Sequence, residues 1–150
     1  MTDLHVEELS ARTIVAANSL TLKPGQEEFV SPTTYAVAMV VADPQTTWQR
    51  VVMDGEEVVA FIRAHFDPDD PTDYLRAAVW RVNVDADAQG RGAGRFAVEA
   101  VMEEGRRRGF DHLSVVYEPG EGGPEAFFRR VGFRPVDENE YGEVVAEISL

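Results

Sequence analysis

The chain of 150 residues contains no cysteine. That excludes a disulfide framework, a thiolate zinc site and a thiol nucleophile. Basic side chains are scarce: 14 Lys and Arg stand against 27 Asp and Glu, a formal net charge of −13. Binding to a phosphate backbone needs a basic surface, so nucleic acid is not an expected partner. No apolar run approaches the roughly 20 residues that cross a bilayer. The opening MTDLHVEELS is acidic and lacks the basic and apolar regions of a secretion signal. A cytoplasmic protein without a membrane partner is the expectation. Histidine is rare too, with three in the chain. No group of His, Asp and Glu has metal-ligand spacing, so no metal is expected.

The sequence does have an ordinary hydrophobic content of 44%. A chain this long buries about two thirds of its unfolded surface, and residues 1–150 are read as one domain. The excess of negative charge suits a cationic small molecule as partner, because a field of one sign concentrates opposite charge. The same acidity also serves solubility.

There is no internal repeat, low-complexity tract or long linker. Leu4–Leu9 alternates as a strand, and Ser10–Leu20 and Ser31–Ala42 read as helices, the second with Pro32 behind a Ser cap. Thr46–Met53 and Glu57–Phe66 flank Asp54-Gly55, a hairpin signal. The acidic, proline-containing stretch Asp67–Asp73 is a loop, followed by a strand at Ala77–Asp85. A helix is expected over Ala93–Arg108, with Arg106, Arg107 and Arg108 suited to its C-terminal dipole and Gly109 placed to end it. A strand at Asp111–Glu118, a short helix at Pro124–Val131 and a strand at Glu143–Leu150 complete the pattern. The fold class is mixed α/β with one clear strand–helix–strand crossover.

Between that strand and helix lies DAQGRGAGRF, with glycines at 90, 92 and 94. A turn that leaves a strand and opens a helix points backbone N–H groups outward, with the positive end of the helix dipole behind them, which makes an anion site. A dinucleotide fingerprint requires Gly or Ala at position 95, where Arg95 stands, and a Walker A loop requires Gly-Lys-Ser/Thr after Gly90. Both patterns fail. What remains is Gln89-Gly90-Arg91-Gly92-Ala93-Gly94, with Arg91 and Arg95 to neutralise charge, equipment that fits a pyrophosphate.

The stretch VNVDADAQGRGAGRFAVEAV resembles the acetyl-coenzyme A motif of the GCN5-related N-acetyltransferases, whose core is Gln/Arg-x-x-Gly-x-Gly/Ala. Gln89, Gly92 and Gly94 match it position for position. GGPEAFFRRVGFRPV, ending in Gly132-Phe133, is similar to the second motif of that family. Pro24–Val30 (PGQEEFV) together with GEGGPEAFF also looks similar to the diamine and polyamine acetyltransferase branch.

The resemblance implies a single domain with a mixed, mostly antiparallel sheet, flanking helices and a parallel strand pair splayed at its C-terminal end. It implies acetyl-CoA as cosubstrate, with pantetheine along the backbone near Val82 and Val84 and the pyrophosphate on the turn of Gln89, Gly90, Arg91, Gly92, Ala93, Gly94 and Arg95. The reaction implied is direct attack of a deprotonated primary amine on the thioester, through a tetrahedral intermediate, on a small diamine- or polyamine-like acceptor. A peptide or protein amine, and a non-catalytic acyl-CoA-binding module, are the alternatives; a homodimer is compatible with either. Many family members carry a tyrosine four residues before the Gly-Phe glycine, where it protonates the leaving sulfur. Here Phe128 stands there, and Glu121 stands near the place of a frequent asparagine. Tyr117 and Glu118 are the nearest substitutes, as acid and as base or ammonium anchor. Protonation by solvent is the preferred reading, because a thiol of pKa about 8.5 leaves readily as thiolate. His65 and His112, the acids of the 67–73 loop, Tyr74 and Trp80 read as packing or solvated residues that border the acceptor path at most.

Overall fold

A computed structural model describes residues 3–21 and 45–150. In chain order these form β1 (Leu4–Glu7), α1 (Ile14–Asn18), β2 (Thr47–Asp54), β3 (Glu57–Phe66), β4 (Ala77–Val84), α2 (Ala93–Arg107), β5 (His112–Tyr117), α3 (Glu125–Val131), β6 (Arg134–Glu138) and β7 (Val144–Ser149). The helix expected at Ser31–Ala42 and the Pro24–Val30 stretch lie outside the described residues. None of the described helices is long and apolar enough to cross a membrane.

The strands form one sheet in the order β1-β2-β3-β4-β5-β7-β6. All neighbours are antiparallel except β4 and β5. The expected hairpin is present, with Asp54 opposite Glu57 across Gly55 and Glu56. The register slips between Arg63 and Ala64, where Arg63 faces Arg81 but Ala64 faces Val79, so Trp80 is the extra residue of a bulge.

Two apolar clusters cover the two faces. The larger holds Val52, Ile62, Val79, Ala97, Val98, Val101, Leu113, Val115, Phe128 and Phe133, between the sheet and helices α2 and α3. Helix α2 turns Ala97, Val98, Val101 and Gly105 into it, at the spacing of one helical face. The smaller cluster, Ala17, Val51, Met53 and Phe61, lies under α1 on the opposite face.

Two elements differ from the sequence reading. Helix α1 spans five residues, much less than Ser10–Leu20. Its flanking hydroxyls compete for backbone groups: the Ser10 amide donates to Thr13 Oγ1 at 3.0 Å, and Ser19 Oγ donates to the Val15 carbonyl at 2.8 Å. Strand β6 was not expected. Every residue in it is exposed, and Pro135 is tolerated because β6 is an edge strand paired with β7 alone.

Candidate active site

The parallel ladder between β4 and β5 is short. Ala78 faces Ser114 and Val79 faces Val115, and there the pairing ends, although β4 continues to Val84 and β5 to Tyr117. Beyond Val79 the edge of β4 that faces β5 carries no ladder partner among the described strands, while its other edge stays paired with β3 through Val84. A splayed gap therefore opens alongside Arg81, Val82, Asn83 and Val84. An extended chain bearing amides has backbone there to pair with.

The glycine turn stands at the mouth of this gap. Gln89 ties it down, its side-chain amide donating to the Val84 carbonyl at 3.1 Å. Gly90 and Gly92 have φ of +87° and +84°, a region that L side chains rarely adopt, and a Cβ on either would meet nothing within 4 Å. The outer side of the turn is thus open. Gly92 is the N-cap of α2 and no side chain caps the helix; the first bond back to the cap runs from the Phe96 amide to the Gly92 carbonyl at 2.9 Å. Among the described residues no acceptor meets the amides of that first turn, and a diphosphate fits an open, uncapped helix start of this kind.

Gly94 has a different reason. A Cβ there would lie 3.0 Å from the Phe127 ring and 3.4 Å from Val84 Cγ2, so its hydrogen lets α2 approach α3 and the end of β4. The arginines are also placed differently from each other. Arg91 is loosely held, 3.7 Å from Asp54, with its side chain 43% exposed. Arg95 donates to the Arg130 carbonyl at 2.7 Å and so fastens the turn to the last turn of α3.

The sequence matches the family model for the acetyltransferase (GNAT) family over residues 15–133. The chain belongs to the acetyltransferase (GNAT) family. Acetyl-CoA is accordingly its cosubstrate. No curated protein sequence matches it at a significant level. Among solved structures it is similar to an acetyltransferase from Thermus thermophilus, at 20% identity, TM-score 0.70 and full coverage of both chains (100% and 100%). It is also similar to the PaiA N-acetyltransferase of Thermoplasma acidophilum in complex with coenzyme A, at 9% identity, TM-score 0.72 and 99% of each chain. A GNAT family acetyltransferase from Elizabethkingia anophelis with acetyl-CoA bound matches at 12% identity and TM-score 0.67 over 98% of each chain.

In this GNAT domain the end of β5 carries Tyr117, buried on the face of α2 and α3. Its ring lies 5.9 Å from Phe128, nearly parallel at 11°. The hydroxyl is enclosed and meets no partner in hydrogen-bonding geometry. Burial, and secondarily the Glu125 carboxylate, push its pKa up, against a smaller opposing effect of Arg129. The group therefore stays protonated at neutral pH. Glu118, next along the chain, is exposed.

The opposite face of β2, β3 and β4 holds residues that the sequence reading passed over. Gln49, Arg63 and Arg81 are direct neighbours across the three strands. They share a face with Val51 and Phe61, one register step away, and all three are buried. The next step brings Thr47 opposite His65. Trp80 lies over this end: the His65 ring stacks on it at 4.6 Å, and the Arg63 guanidinium sits 4.6 Å from its centroid.

Three acceptor atoms of His65, Asp67 and Asp70 lie within 4.8 Å of one another, a proximity that linear spacing does not reveal. Loop folding accounts for it. His65 Nε2 meets Asp70 at 3.3 Å, while Asp67 and Asp70 accept the amides of Asp69 and Thr72.

Proposed function

We propose that the protein transfers the acetyl group of acetyl-CoA directly to the primary amine of a small molecule that arrives as a cation. The observation that carries this reading is the β4–β5 ladder that stops after Val79 and Val115 beside the uncapped start of α2. In this reading the pantetheine arm lies along the free edge of β4 near Val82 and Val84. The diphosphate lies on the turn that Gln89 anchors, on the amides of Gly90, Arg91, Gly92, Ala93, Gly94 and Arg95. The amine gives up its proton and its lone pair attacks the thioester carbonyl. The carbon–sulfur bond breaks, and coenzyme A leaves as a thiolate that takes up a proton.

The enclosed hydroxyl of Tyr117, held protonated by burial, supports it over solvent as the donor of that proton. Glu118, exposed at the strand end, is suited to draw in the ammonium or to accept its proton. The net charge of −13 supports a cationic acceptor, with diamines and polyamines the first compounds to try.

A thiol-release screen over diamines, polyamines, aminoglycosides, amino acids and short peptides tests the reading, with amine-dependent release of coenzyme A as the expected result. Phe128, which has no proton to give, favours one second reading, a non-catalytic acyl-CoA-binding module. Tight acetyl-CoA binding with no release on any amine would select it.

A further inference from the structure

Arg91, in the glycine turn, is held by two weak contacts. Its Nη1 lies 3.7 Å from Asp54 Oδ2, and its Nη2 donates to the Asp87 carbonyl at 3.4 Å. Both are longer than the charge-assisted bonds of about 2.7–2.9 Å that a guanidinium makes when firmly placed. Such a guanidinium changes partners easily. Asp54 is the better fixed of the pair. It stands in the β2–β3 hairpin, its Oδ1 accepts the Asp3 amide at 2.9 Å, and its side chain is 18% exposed against 43% for Arg91. The arginine is therefore the partner that moves.

The sheet accounts for an acid beside this turn. Strand β3 runs antiparallel to β4, with Val84 facing Ala60 and the Asp85 amide donating to the Val59 carbonyl at 2.9 Å. The hairpin tip thus projects past the end of β4, where the turn begins. It carries Asp54, Glu56 and Glu57 and no basic residue, and Glu56 and Glu57 are exposed. Strand β3 covers one edge of β4, and the splayed gap runs along the other. Asp54 therefore draws Arg91 towards the edge away from the gap. An acidic tip is a poor neighbour for a diphosphate, and it binds the one exposed cation of the turn's outer side in the empty protein.

We infer that Asp54 competes with the diphosphate of coenzyme A for Arg91 and so sets how fast the spent cosubstrate leaves. In the empty protein Arg91 pairs with Asp54. The diphosphate, with more negative charge and a better geometry for the guanidinium fork, takes Arg91 over. As it departs, Asp54 takes Arg91 back. Asp54 touches no substrate; it is a positioning residue that acts through Arg91. A transferase must expel coenzyme A at every turnover, and affinity given up in this way appears as faster release. The inference rests on the assignment of the turn to the diphosphate.

The test is Asp54→Asn in the intact protein. Asn-Gly favours the same tight turn, and the side-chain carbonyl oxygen still accepts the Asp3 amide, so the hairpin is kept while the charge is lost. A part-exposed ion pair predicts that Kd for coenzyme A, measured by calorimetry at low salt, falls about twofold to fivefold. Displacement of bound coenzyme A in stopped flow should slow by a like factor. In an Arg91→Gln background, where Kd itself rises, Asp54→Asn should change neither quantity. Glu56→Gln removes a charge from the same tip and controls for the general field. Unchanged or weaker binding in Asp54→Asn overturns the inference; a weaker one makes Asp54 a prop for Arg91 in the bound state. Tightening that persists in Arg91→Gln, or that Glu56→Gln reproduces, also overturns it, because direct repulsion then suffices. If Gly92→Ala weakens binding and Arg91→Gln does not, the turn still holds the diphosphate and the competition for Arg91 is refuted. If neither alters Kd, the assignment of the turn fails, and the inference with it.

Discussion

Replacing Gly92 by alanine separates what the turn does for the fold from what it does for the cosubstrate. At φ +84° a Cβ meets no neighbouring atom within 4 Å, so the substitution adds conformational strain without a clash. Left-handed backbone costs an L residue about 1–2 kcal/mol. For a chain of this size each kcal/mol lowers Tm by about 2–4 °C, so Gly92→Ala should melt about 2–8 °C below the wild type. The added methyl also points outward, into the space assigned to the diphosphate. Loss of one charge-assisted bond, about 1.5–3 kcal/mol, raises Kd for coenzyme A by about 10- to 150-fold. Gly109→Ala is the control, since Gly109 has φ +88°, a Cβ there also meets nothing within 4 Å, and it follows the far end of α2. That end is about 22 Å from Gly92 at 1.5 Å per residue. Both variants should lose similar stability, measured by thermal unfolding, and only Gly92→Ala should lose affinity in a calorimetric titration well below Tm. Unchanged affinity in Gly92→Ala, or equal loss in both variants, would refute the assignment of the turn to the diphosphate.

Tyr117→Phe should lower kcat by about 10²-fold or more, with the KM for acetyl-CoA little moved, and Phe128→Tyr in that background should recover part of the rate. A near-neutral Tyr117→Phe returns proton donation to solvent. Burial alone would raise the Glu104 carboxyl, but the hydrogen bonds and charges of Arg108 and Arg107 outweigh it and hold the group below its ordinary range. Its stabilising effect is complete above that ordinary range and fades as pH falls through the lowered value. Glu104→Gln should therefore cost about 1–2 kcal/mol at pH 7 in urea unfolding, with the gap to wild type closing below about pH 4; a gap that persists in acid contradicts the ion-pair account. The KM of an active cationic amine should rise with salt, since attraction between exposed charges is screened beyond about 10 Å at 0.1 M. A KM that ignores ionic strength would leave the acidity to solubility alone.

The parts of the fold that were legible in the sequence are those whose signals are local. The Asp54-Gly55 turn marks one hairpin, and the glycines at 90, 92 and 94 between a valine strand and an amphipathic helix mark the crossover and its open turn. The expected bounds of β3, Glu57–Phe66, are those it has in the fold. Helix α1 is shorter than its hydrophobic spacing implies because Thr13 and Ser19 satisfy backbone groups with their own hydroxyls, a competition that spacing does not register. Strand β6 escaped because an exposed edge strand needs no apolar alternation and tolerates Pro135. The arginine row was hidden for a further reason. Gln49, Arg63 and Arg81 each look like the outward residue of an alternating strand, and only the cross-strand register, shifted by the bulge at Trp80, aligns them on one buried face.

The early end of the β4–β5 ladder has a mechanical consequence. Four strands lie on one side of that seam and three on the other, and the two ladders share two residue pairs. Wedged open in this way, the domain is a pair of half-sheets riveted at one end, with α2 as the strap that leads from one half to the other. An extended ligand laid along the free edge of β4, as proposed for the pantetheine arm, would supply the missing rungs of an unfinished sheet. On the proposed reading, coenzyme A lying in the seam would brace the two halves, and its departure would remove that brace.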